Sequence, residues 1–144
     1  MYFYYLAVGL AVISNLFYHL SQKLTPTSAN PALAVAVTYL VAMAVSLIVL
    51  GLFFPVQTGL GQALRQLNWA SVALGISIVG IELGFLLAYR AGGNISLVQI
   101  VVSTSITLVL IPVGLAFFRE NLTWLNGLGI VLCLAGLILI NIKG

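Results

Sequence analysis

A single acidic residue, Glu82, falls inside the long apolar runs of this sequence, within Gly80-Ile-Glu82-Leu-Gly84. A charged side chain near the centre of a bilayer costs about 2.5–3.5 kcal/mol on insertion scales, so an acid at that depth calls for a reason. Burial works against the charged form of a carboxyl group, which makes Glu82 a candidate for taking up and releasing a proton. The competing reading is structural: a permanently protonated acid, or one paired with a polar neighbour. Gly80 and Gly84 flank it at a spacing of four, which lets a second helix come close.

Two further sets of polar residues share helical faces. Asn15, His19 and Gln22 are separated by four and then three positions, one face of a helix. His19 titrates near physiological pH when unperturbed; it is either a ligand or proton group, or a histidine hydrogen-bonded at the membrane interface. Ser96, Gln99, Ser103 and Thr107 follow at steps of three, four and four, with Thr104 and Ser105 beside them. Lipid does not reward such a stripe, so it should face the bundle or a wet cavity, although hydroxyls also join helices to one another. Pro112, on the same run, removes one helical hydrogen bond and sets a hinge or a static kink. There is no Ser/His/Asp arrangement and no Cys/His cluster with metal-ligand spacing, and a second acid in a turn, Glu120, makes no hydrolytic pair with Glu82. The expectation is a protein that is not an enzyme and uses no metal or cofactor.

The elements that must carry these residues follow from composition. Hydrophobic residues make up 62% of the 144 and charged residues only 5%, against about 25% charged in a soluble domain. A spanning helix needs about 20 mostly apolar residues, and five such segments are present: 2–21, 32–54, 69–89, 95–118 and 122–142. Thr25-Pro26, Asn30-Pro31 and Pro55 interrupt them, as do Arg90-Ala-Gly-Gly-Asn94 and Arg119-Glu120-Asn121. In the longest connection, 55–68, Leu60, Leu64 and Leu67 recur at helical spacing, so it is either a short interfacial helix or an irregular loop. The fold class expected is an all-α integral membrane bundle of about five transmembrane helices, as one domain over 1–144.

Other signals are weak. Met1-Tyr-Phe-Tyr-Tyr5 lacks a basic segment and reads as the aromatic end of a membrane helix, not a cleavable signal. Asn94-Ile-Ser96 and Asn121-Leu-Thr123 match glycosylation sequons but lie too close to the spans to be read as such. The lone Cys133 cannot form an internal disulfide. The net charge of +3 is scattered, so no nucleic acid is implied. With the amino terminus outside, Lys23, Arg90 and Lys143 lie inside, and Arg65 and Arg119 outside. Three against two barely specifies orientation, and both dual insertion and ordinary scarcity of loop charges give such a bias.

Phe117-Phe118-Arg119-Glu120-Asn121-Leu122-Thr123, then Gly127-Leu-Gly129 and Leu134-Ala135-Gly136-Leu137-Ile138, resemble the drug/metabolite transporter superfamily. More narrowly, the chain looks like one five-helix EamA-type half of the ten-helix members. It is also similar to the small multidrug resistance family, whose terminal helix carries two glycines seven apart that pack a dimer. Gly129 and Gly136 have that spacing, and Asn141 falls where that helix also has an asparagine. Gln99 corresponds to a position lining the substrate chamber there. The resemblance fails where that family places its essential glutamate, since the matching stretch is Val12-Ile13-Ser14-Asn15. It implies a small-molecule transporter of the bacterial inner membrane, an exporter by this reading. The expected form is a homodimer, antiparallel if insertion is dual, with Glu82, Gln99, Ser103, Thr107, Asn15 and His19 lining a chamber. The alternatives are a small non-transporting subunit of a larger membrane complex, or a half-flippase that needs a different partner.

Overall fold

The computed structural model describes residues 2–57, 59–118 and 123–141, the side chains of 137, 140 and 141 apart. Its helices are α1 (Tyr2–Leu24), α2 (Pro31–Phe53), α3 (Leu60–Arg65), α4 (Trp69–Arg90), α5 (Ile95–Phe117) and α6 (Trp124–Asn141). The chain is an all-α membrane protein. Helices α1, α2, α4 and α5 are long and apolar enough to cross a bilayer. At about 1.5 Å per residue each exceeds a hydrocarbon core of about 30 Å. The fifth apolar helix, α6, has 18 residues. The connection after α2 resolves in favour of a helix, α3, less than two turns long.

Local chemistry sets the helix ends. Asn30 accepts from Ala32 N at 2.9 Å and Leu33 N at 3.2 Å, while Pro31 occupies the first turn, where no partner for its nitrogen is needed. Asn68 caps α4 through Ala70 N at 2.9 Å. Helix α4 stops at a turn containing Gly92 with φ of +94°, a conformation that disfavours a side chain. Thr123 Oγ1 accepts from Asn126 N at 3.3 Å and so starts α6. That gives the threonine of the resemblance motif a role; Arg119, Glu120, Asn121 and Leu122 lie outside the described residues.

The helices form two compact units, Met1–Ala91 and Gly92–Gly144. In the first, α4 packs against both α1 and α2, while the backbones of α1 and α2 stay apart. Its buried apolar core is small: Val35, Phe85, Leu86 and Tyr89. Most large apolar side chains point outward, as a surface solvated by lipid requires. In the second unit α5 packs on α6, and α5 continues through Pro112 to Phe117.

Candidate functional site

Helix α4 buries one stripe, Glu82, Phe85, Leu86 and Tyr89, at the three- and four-residue steps of a single helix face. Helix α1 meets it with His19 and Gln22, its only buried residues among those described. Gln22 Nε2 donates to Glu82 Oε1 at 2.7 Å and lies 3.4 Å from both the Glu82 carbonyl oxygen and the Tyr18 hydroxyl. Glu82 is only 8% exposed. Tyr18 from α1 lies within hydrogen-bonding reach of the carboxyl, and Tyr39 from α2 is near enough to feel its charge. The Tyr39 hydroxyl is buried and has no hydrogen-bond partner among the described residues.

Toward the end of α4 the same face becomes aromatic. His19 Nδ1 and the Tyr89 hydroxyl lie 2.8 Å apart, the donor being set by the tautomer. The His19 ring meets Phe85 edge-on at 4.7 Å and Tyr18 at 4.9 Å, a favoured arrangement for aromatic rings. Lys23 reaches the Tyr89 carbonyl oxygen at 3.5 Å and lies 5.8 Å from the centre of the Tyr89 ring. It thus places a cation at the carbonyl end of α4, where the helix dipole favours one. Arg90 donates to Ala29 O at 2.8 Å and Pro26 O at 3.0 Å, which fastens the α1–α2 turn to α4.

Because α1 and α2 diverge over α4, they leave a groove of about 280 Å³. Phe17, Tyr18, Gln22, Val35, Thr38 and Glu82 are among its walls. It extends to Thr25, just beyond the end of α1. Glu82 is eight residues before the end of α4, about 12 Å along the helix. In the second unit, a cavity of about 460 Å³ between α5 and α6 is bordered by Ser103, Thr104, Thr107, Asn126, Gly129 and Cys133. There Ser103 donates to Gln99 O at 2.7 Å and Thr107 to Ser103 O at 2.8 Å. Gln99 itself is half-buried.

The sequence matches the EamA-like transporter family over residues 1–142. The chain belongs to the EamA-like transporter family. No curated protein and no solved structure matches it. As an EamA-like protein it is a membrane transporter of the drug/metabolite type.

The site residues expected of this EamA-like chain fall into both units. Glu82 and His19 share the α1–α4 contact in the first, whereas Asn15, one turn earlier on α1, is exposed. Gln99, Ser103 and Thr107 lie in the second. Among the described residues nothing lies within 4 Å of a Cβ built at Gly80, Gly84, Gly129 or Gly136; at Gly129 that space is the cavity between α5 and α6. The side chain of Asn141 lies outside the described residues. Gln22 was recognisable from its place on the His19 face, but not as the partner of Glu82. Tyr89 follows Glu82 by seven positions, two turns on one face, a usable signal. Nothing in the sequence pointed to Tyr39.

Proposed function

We propose that the chain is one half of a small-molecule exporter in a bacterial inner membrane, working as a homodimer of five-helix units. Glu82 is the group that binds a proton and a cationic substrate in turn. The carrying observation is the placement of this carboxyl: 8% exposed, held by Gln22 at 2.7 Å, yet on the wall of the groove between α1, α2 and α4. An acid in that position can exchange one positive charge for another without leaving a bare charge in hydrocarbon. Transporters of this kind bind substrate between structural repeats, and a second copy would supply the missing repeat. The open space beside Gly136 suits close helix contact with that copy.

The test is proton movement in vesicles that carry the purified protein and a pH gradient. A panel of amines, amino acids and sugars is added in turn. At least one compound should drive proton flux through the wild type, and Glu82→Gln should abolish that flux while leaving the protein folded. Equal flux in both proteins, or none with any compound, overturns the role given to Glu82.

A further inference from the structure

Helix α3 joins the end of α2 to the start of α4, two helices each long enough to cross a bilayer, so it is held at one face of the membrane. Its turns extend past the helix proper: Gln62 N and Ala63 N donate to Gly59 O, and Leu67 N donates to Leu64 O. Leu60, Leu64 and Leu67 stand four and three positions apart on one face, and Gln62, Arg65 and Gln66 fall on the other. The three leucines are 64%, 57% and 60% exposed, and among the described residues the backbone of no other helix approaches α3. Phe54 and Trp69, at the two ends of the connection, are exposed as well, and tryptophan favours the headgroup level of a bilayer. Arg65 is exposed and has no hydrogen bond or ion pair among the described residues. Lys23 and Arg90, by contrast, reach the carbonyl oxygens of Tyr89, Ala29 and Pro26.

We propose that α3 is a docking surface for anionic phospholipid, with its leucines sunk among the acyl chains and Arg65 paired with a headgroup phosphate. A helix of six residues is too short to persist on backbone hydrogen bonds alone. Its leucines need an apolar medium, and the acyl chains around the ends of α2 and α4 supply one. An amphipathic helix lying in the interface buries its apolar face at the boundary of headgroups and acyl chains, and its basic residues draw anionic lipid. A guanidinium suits phosphate because two parallel N–H groups meet two oxygens. A second copy of the chain suits this surface less well. The sequence holds only two acids, Glu82 within α4 and Glu120, whereas a bilayer offers Arg65 a continuous layer of phosphates.

The test is fluorescence quenching of Trp69, four positions beyond Arg65. The full chain carries Trp124→Phe, so that Trp69 reports alone, and sits in vesicles of phosphatidylcholine mixed with phosphatidylglycerol. At low salt brominated phosphatidylglycerol should quench Trp69 in preference to brominated phosphatidylcholine by about fivefold, the effect of one basic residue at an anionic surface. About 1 M sodium chloride should abolish the preference by screening. Arg65→Gln should remove it as well, and Arg65→Lys should keep it. The leucine face is read separately, with nitroxides attached at Leu64→Cys or Gln62→Cys in a Cys133→Ser background. Oxygen dissolved in the acyl chains should reach the label at Leu64→Cys, and a water-soluble nickel chelate the label at Gln62→Cys. Equal quenching by the two lipids, a preference that survives salt or Arg65→Gln, or equal chelate access at the two labels overturns the proposal. A label at Leu64→Cys shielded from both oxygen and chelate also overturns it, and gives the face to a second copy or another protein.

Discussion

Gln22 and Glu82 are sixty positions apart in sequence and 2.7 Å apart in the structure, so one hydrogen bond ties α1 to the only acid found inside a span. Removing the donor alone strands a buried carboxyl, which costs about 1–3 kcal/mol. Gln22→Leu should therefore lower the melting temperature in detergent. The double variant Gln22→Leu with Glu82→Leu should recover much of the loss, because apolar replacement of both partners can be nearly neutral. Additive losses in the double variant would show that the pair is not coupled. The His19–Tyr89 contact at 2.8 Å is the second polar tie between the same helices. Tyr89→Phe keeps the ring packed on Phe85 and deletes the hydroxyl, for a loss of about 1 kcal/mol. A melting temperature equal to that of the wild type would remove this bond from the account.

Helix α4 holds the first unit together because the backbones of α1 and α2 approach it and not each other. The fastening at its carboxyl end is Arg90, which joins the α1–α2 turn through two carbonyl oxygens. Arg90→Leu should free that turn and speed amide hydrogen exchange over residues 25–31, with little change in α5; unchanged exchange in the turn would count against the latch. The next residue of special geometry is Gly92, whose φ of +94° is strained for any other residue. Gly92→Ala should destabilise the protein by about 1–2 kcal/mol, measured by thermal unfolding. Pro112 sits in α5 without ending it. The carbonyl it leaves without a helical donor is that of Leu108, next to Thr107, whose hydroxyl bonds Ser103 O.

For the whole molecule, the question is what covers the open glycine faces. Nothing in the described chain comes within 4 Å of a Cβ built at Gly136, whereas Gly129 borders the cavity between α5 and α6. Gly136→Leu should accordingly leave monomer stability largely intact and weaken or displace the homodimer, read by crosslinking and by mass in detergent. Wild-type dimerisation with Leu at that position would exclude this helix from the interface. Orientation is a separate matter. With loop charges of three against two, both insertions are expected, and cysteine labelling from each side should find both. Adding two lysines at one terminus should shift the population to one side; a single fixed orientation before any addition would exclude an antiparallel dimer.

Membrane insertion, helix count and helix ends were legible in the sequence, because each is decided locally. Apolar run length sets the spans, and Pro31, Asn30, Asn68 and Gly92 act on their own turn of backbone. Helical periodicity also placed His19 and Gln22 on one face correctly. It could not say how far that face stays covered: α1 is buried on α4 only in its last turns, so Asn15 on the same face is exposed. The hydroxyl stripe of α5 was legible as a stripe, but the bonds of Ser103 and Thr107 to their own helix depend on rotamers that spacing does not reveal. The partners of Glu82 required tertiary structure. Spacing shows which residues share a face of one helix, whereas the meeting of Gln22 and Tyr18 with the Glu82 carboxyl depends on how α1 crosses α4.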